Sequence, residues 1–167
     1  MSRYAGIIEN DVVNGEGICV SLFTQGCPHH CPGCFNPETW DYEGGHTVPT
    51  NLKGTIIKAI SNNGIKRNFS VLGGEPLCPE NQEFVLDIIT AVKTAYPNIK
   101  IYLWTGYEYE FLTNNNAVVN AILNKIDVLI DGPFVEEKKD FTLKLRGSSN
   151  QRIFRKDENN EFQICKE

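Results

Sequence analysis

The sequence predicts an α/β protein built on a mostly parallel sheet with crossover helices. Three observations carry this. Short apolar runs alternate with segments of helical periodicity, the pattern of repeated strand–helix–strand units. The runs are nearly continuous in apolar residues, as strands covered on both faces are. Four segments rich in Cys, Gly, Pro or Asp directly follow such runs, and in parallel sheets ligands bind at those strand ends.

With 167 residues the chain is expected to form one domain, residues 1–167, with a peripheral tail from about residue 155. Hydrophobic content of 41% and charge of 22% describe an ordinary globular protein. No apolar run approaches the roughly 20 residues of a membrane span. The N-terminus lacks the long apolar stretch of a signal peptide, so a cytoplasmic location with no membrane partner is expected. The net charge of −5 argues against a general nucleic-acid partner. In a reducing compartment the six cysteines are expected to bind metal or react rather than form disulfides.

Taken in order, strands are expected at 5–8 and 17–24, punctuated by Gly15 and Gly17. The second feeds straight into Gly26-Cys27-Pro28-His29-His30-Cys31-Pro32-Gly33-Cys34-Phe35-Asn36-Pro37, where prolines and glycines forbid regular structure. An irregular stretch runs to Pro49. Leu52, Ile56, Ile57 and Ile60 recur at helical spacing, with Gly64 as a stop. Phe69 to Leu72 is a strand ending at Gly73-Gly74-Glu75-Pro76. Phe84, Val85, Ile88, Ile89 and Val92 define an amphipathic helix, with Pro97 beyond its end. Ile101 to Trp104 is a strand ending at Thr105-Gly106-Tyr107. Val118, Val119, Ile122 and Leu123 mark a helix capped by Asn116. Val128 to Ile130 is a strand ending at Asp131-Gly132-Pro133-Phe134, and a terminal strand is expected near Ile153-Phe154.

The C-x3-C-x2-C loop is a metal-binding pattern. Three thiolates can hold three corners of a [4Fe-4S] cluster, leaving the fourth iron open to a ligand. A structural zinc, with His29, His30 or His46 as fourth ligand, accounts for the same spacing, and spacing alone leaves both readings open. Otherwise the loop histidines are expected to be solvated. In the Gly-Gly-Glu-Pro segment the glycines permit close backbone approach and Pro76 fixes the turn, although an ordinary strand-to-helix turn reads the same way. Trp104 and Tyr107 read as core or rim aromatics. Asp131 either meets a ligand hydroxyl or fixes the turn before Pro133. Between Lys144 and Lys156 lie five basic residues and no acidic one. Arg155 and Lys156 are expected to be solvated, while Arg146 and Arg152 bracket a donor-rich turn. Cys19 reads as a small buried hydrophobe, Cys78 as a thiol without a defined partner, and Cys165 as a free thiol in the tail.

The cysteine motif after one buried strand, with Gly-Gly-Glu-Pro after the next, resembles the radical S-adenosylmethionine (SAM) enzymes. The run from Gly26 to Trp40, with Asp131 to Phe134 and Arg146 to Arg152, more closely resembles the anaerobic ribonucleoside-triphosphate reductase activating proteins, over about Tyr4 to Ile153. The resemblance implies a partial, open TIM-like (β/α) barrel of the radical SAM type, since a complete barrel needs about 250 residues. It implies Cys27, Cys31 and Cys34 as ligands of a [4Fe-4S] cluster whose open iron is chelated by SAM. It places Gly33, Cys34, Phe35, Gly73, Gly74, Glu75, Thr105, Asp131 and Arg146 around SAM, with Arg152 as the alternative to Arg146. The position before the third cysteine is often aromatic in the superfamily. Here it is Gly33, which leaves adenine packing to groups such as Phe35. Backbone carbonyls of the Gly-Gly turn or Glu75 are expected to accept from the SAM ammonium.

The implied reaction is reductive cleavage of SAM to methionine and a 5′-deoxyadenosyl radical, which takes hydrogen from one glycine of the anaerobic ribonucleotide reductase large subunit. The cofactors carry this chemistry and the protein orients them. A low-potential donor such as flavodoxin or ferredoxin is implied as a second partner. Another small radical SAM enzyme, or a non-catalytic zinc-binding interaction module, are the alternatives.

Overall fold

The computed structural model describes residues 2–167. The strands are β1 (Arg3–Asp11), β2 (Cys19–Thr24), β3 (His46–Thr47), β4 (Asn68–Gly73), β5 (Ile101–Trp104), β6 (Val128–Asp131), β7 (Arg152–Lys156) and β8 (Phe162–Cys165). They form one open sheet in the order β3-β1-β2-β4-β5-β6-β7-β8. The helices are α1 (Leu52–Ile60), α2 (Gln82–Ala95), α3 (Tyr109–Leu112) and α4 (Ala117–Lys125).

The sheet is mixed. Its centre, β2-β4-β5-β6, is parallel. Its flanks are antiparallel, with β1 against β2 and β3, and β7 against β6 and β8. The flanks follow from loop length. A parallel return needs a crossover of a dozen or more residues, and only seven separate β1 from β2. The alternation read from the sequence therefore describes the centre and not the edges. The residues beyond 155 complete β7 and supply β8, whose Phe162 ring lies edge-on to Tyr109 at 5.8 Å.

In the parallel centre each crossover adds the next strand on the same side, without reversal. Right-handed connections then place every crossover helix on one face. Ile56 and Ile60 of α1, Val85, Ile89 and Val92 of α2, and Val119 and Ile122 of α4 pack there against Val20, Leu22, Phe69, Val71, Leu103 and Leu129. Complete burial of such a side chain is worth about 1.5–3 kcal/mol. Asn116 caps α4 as expected, its Oδ1 accepting from Val119 N at 2.9 Å. Helix α1 stops at Ile60, and a 3-10 turn carries the chain on to Gly64.

Alternate strand residues point to the other face. There Tyr102, Val128, Ile130 and Ile153 form a second cluster with Trp104 and Leu145. Loop segments cover this face. Ser70 Oγ donates to the carbonyl of Asn14 at 2.6 Å, and the Tyr102 hydroxyl to Glu16 Oε1 at 2.8 Å. Arg155 ties Glu16 at 2.8 Å to Glu167 at 2.9 Å, so it is paired rather than merely solvated. Helices thus back one face, and loops leave room over the other for a cleft.

Candidate functional site

Strands β2 and β4 end level with each other, Thr24 opposite Gly73. The cysteine loop and the Gly-Gly-Glu-Pro turn therefore leave the sheet side by side. A Cβ on Gly73, at φ +137°, would overlap the Thr24 backbone, and one on Gly74 would lie 2.7 Å from the Gly26 carbonyl. Both glycines are needed for the turn to pack on the root of the cysteine loop. Asn36 Nδ2 adds a link to the Gly73 carbonyl at 3.4 Å. Within the loop, Cys27 N donates to the Trp40 carbonyl at 3.2 Å and Cys34 N to the Cys31 carbonyl at 3.1 Å.

These segments line a cleft of about 580 Å³ at the carboxyl ends of the parallel strands. Cys27, Cys31 and Cys34 line it, with Gly73, Gly74 and Glu75 of the glycine turn and Thr105 and Gly106 beyond β5. Phe134 and Gly147 also line it, next to Phe35 of the cysteine loop.

Glu75 holds three of these segments together. Its side chain is 1% exposed. Oε1 accepts from His29 Nε2 at 2.8 Å and Gly106 N at 2.7 Å, and Oε2 from Thr105 Oγ1 at 2.8 Å and Leu77 N at 2.9 Å. Four donors leave this carboxylate no unused hydrogen-bond direction of consequence. The expectation that it accepts from a ligand ammonium is therefore corrected. It is a clamp joining the cysteine loop, the glycine turn and the end of β5. The Thr105 hydroxyl is likewise committed, accepting from Tyr107 N at 3.1 Å. Asn81 reinforces the clamp, its Nδ2 donating to the carbonyls of Gln25 and Glu75, both at 3.0 Å.

Asp131 is not brought to the cleft. It is 0% exposed, and accepts from Tyr109 N at 2.8 Å and from Arg152 at 3.1 and 2.5 Å. Arg152 also grips Glu110 at 2.8 and 2.7 Å, which removes it as the alternative ligand arginine. Its neighbouring guanidinium holds the Glu110 carboxyl down at about 2. The ligand reading of Asp131 thus gives way to the turn-fixing one, with Arg152 as the partner that made it cheap to bury. Arg146 does line the cleft, where it hydrogen-bonds the carbonyls of Lys144, Gln151 and Glu167.

Gly33 packs beside Phe134 and Glu136. Phe35 is exposed at the cleft mouth, 5.1 Å from the Phe134 ring and 5.9 Å from the Phe141 ring. Trp104 is a wall residue fixed by its indole N–H to the Leu145 carbonyl at 2.7 Å. Cys19 and Cys78 are fully buried, and Cys78 Sγ donates to the Glu75 carbonyl at 3.2 Å. Cys165 is partly buried in β8.

The histidine expectation divides. His30 is exposed and stacks on Trp40 at 4.6 Å. His29, with 18% of its side chain exposed, is not a solvated residue but the loop's contact with Glu75. Its ring also meets Tyr107 edge-on at 4.6 Å. The pattern that could have signalled it is an acid after one strand facing a histidine after its parallel neighbour.

Burial pushes the Cys27 thiol up to about 11 and raises that of Cys31, so metal binding here must displace protons. Among the described residues, no three His, Cys, Asp or Glu side chains gather closely enough for a single ion. One polar atom of the cleft wall is left over. Trp40 lines the cleft, and its indole Nε1 is buried with no acceptor in the chain. Such an orphan donor costs about 1–3 kcal/mol. Sequence reading missed it, because only the fold shows which indole lacks a partner.

Residues 13–154 match the family model of a 4Fe-4S single cluster domain. The chain is 42% identical to an anaerobic ribonucleoside-triphosphate reductase-activating protein of Vibrio cholerae, over 87% of this chain and 92% of that protein. It is 39% identical to the protein so named in Escherichia coli K12, over 84% and 90%, and 38% identical to that of phage T4, over 91% and 93%.

Proposed function

Because the chain belongs to the family of anaerobic ribonucleoside-triphosphate reductase-activating proteins, with its 4Fe-4S single cluster domain, we propose that it activates that reductase from the cleft just described. The observation that carries the reading is that all three loop cysteines line one cleft together with the glycine turn and Thr105-Gly106. The donor set fits the group. Three thiolates suit a cluster in which each iron takes one cysteine.

On this reading Cys27, Cys31 and Cys34 hold the cluster. When bound, cluster and SAM together supply the reductive cleavage of the sulfonium and the radical that removes hydrogen from a glycine of the reductase large subunit. The protein's part is orientation. Glu75 fixes the spacing of the three segments it joins through His29, Thr105 and Gly106. With that carboxylate occupied, the carbonyls of the Gly73-Gly74 turn are the acceptors for the SAM ammonium. Of the remaining candidates, Phe35 and Arg146 line the cleft, Phe35 as the face for adenine and Arg146 as the counter-charge for the carboxylate, while Gly33 keeps the cysteine loop close to Phe134. A low-potential protein such as flavodoxin or ferredoxin is the electron source, and the cytoplasm the setting. No helix among the described residues is long and apolar enough to cross a membrane.

Helices on one face and an unreversed strand order 2-4-5-6 are what a partial (β/α) barrel requires. We read the fold as one such open domain, whose missing side admits a polypeptide. The test is anaerobic reconstitution with iron and sulfide. A brown protein with about four irons, losing its cluster in Cys31→Ala, supports the reading. Stoichiometric zinc and no iron uptake would overturn it.

A further inference from the structure

We propose that Val12, Val13 and Phe141 form an apolar rim on which the glycine-bearing segment of the reductase docks, and so set how tightly that partner is engaged. The inference deepens the reading above and rests on it. Among the described residues, the four most exposed large apolar side chains are Val13 at 75%, Phe141 at 72%, Val12 at 70% and Phe35 at 58%. Single exposed apolar residues are ordinary, but a group gathered at one place marks an interaction surface. Val13, Phe35 and Phe141 all line the cleft, and Val12 adjoins Val13. A side chain that lines a cleft and is still this exposed stands at its opening.

Both tips are fixed by the same device, an aspartate that accepts from the turn it precedes. Asp11, itself buried, accepts from Val13 N at 2.8 Å and Asn14 N at 3.1 Å. The Asn14 carbonyl in turn receives Ser70 Oγ from the sheet at 2.6 Å. Asp140 accepts from Thr142 N at 2.9 Å and from the Thr142 hydroxyl at 2.6 Å, and its own N–H donates to the Gly147 carbonyl at 3.1 Å. The apolar tips are therefore held in place before any partner arrives, and contact with them costs little ordering.

The occupant follows from the chemistry. Hydrogen can leave the target glycine only where the cofactors are, so that glycine enters the cleft and its neighbours in sequence cross the opening. The rim suits apolar side chains beside that glycine. A second copy of this chain seated there would cover the opening that the substrate needs.

The test compares Val13→Ser and Phe141→Ser with the conservative Val13→Ile and Phe141→Leu, each titrated with the reductase large subunit. Binding is read by isothermal titration calorimetry, and activation by the glycyl radical signal. Each serine variant is expected to take up as much iron as the parent chain and to bind about tenfold more weakly, as truncation of an interface anchor does. The reductase concentration that half-saturates radical formation rises in step, while the radical yield at saturation keeps the parent value. The Ile and Leu variants, which keep the apolar surface, bind within about twofold of the parent. Parent-like binding by both serine variants overturns the rim, as does a lower saturating yield with unchanged half-saturation. A parent dimer in sedimentation that the serine variants dissociate also overturns it, in favour of self-association. A parent chain that yields no radical on the reductase overturns the functional reading itself.

Discussion

Glu75 and Asp131 are both acids at or just after the carboxyl end of a parallel strand, both almost wholly buried, and both expected from the sequence to meet the same ligand. The fold gives them different work. Glu75 lies in the cleft wall and draws its donors from the cysteine loop, its own turn and β5. Asp131 is turned away from the cleft and shares Arg152 with Glu110 on α3. Strand-end position puts an acid near the ligand side of a parallel sheet. Which elements supply its donors decides whether it shapes the site or only the scaffold.

The sharpest way to break this contrast is to truncate each acid. Glu75→Ala leaves four donors without their acceptor and should cost about 3–5 kcal/mol in urea unfolding. It should also abolish iron retention, because the cysteine loop loses its anchor. Asp131→Ala should cost about 2–3 kcal/mol, since Arg152 is partly exposed and keeps Glu110, and iron content should be unchanged. Equal loss of iron in the two variants would erase the distinction. A smaller effect is expected for His29→Ala, about 1–2 kcal/mol by the same measurement, with the cluster bound but released faster to a chelator. Unchanged release would mean that His29 is not the loop's tether.

The smallest effect concerns pH. Arg152 depresses the folded-state pKa of Glu110 from its ordinary 4.5 to about 2. A depressed carboxyl contributes stability that is complete above pH 4.5 and lost as pH falls through about 2. The unfolding midpoint of Glu110→Gln should therefore lie below the parent's at pH 7 and converge with it near pH 2. A gap constant across that range would show that Glu110 does not carry it.

Local signals were legible in the sequence and long-range pairings were not. Apolar periodicity located the helices and the central strands, because each buries a continuous face. The cysteine loop, the glycine turn and Thr105-Gly106 were located because strand ends in a parallel sheet converge. The antiparallel flanks were missed, since strand direction depends on connection length and on partners far along the chain. The Arg152–Asp131 pair spans 21 residues and the Arg155–Glu16 pair 139, and no local pattern announces either. His29 looked like a polar loop residue until its neighbour strand supplied Glu75.

The central claim is that this cleft generates a radical on a glycine of a partner protein. The direct test is electron paramagnetic resonance after the reduced, reconstituted protein is mixed with SAM and the anaerobic reductase. A glycyl doublet on the reductase, absent when Cys31→Ala replaces the parent chain, is the predicted result. Methionine release with no radical on that partner would contradict it.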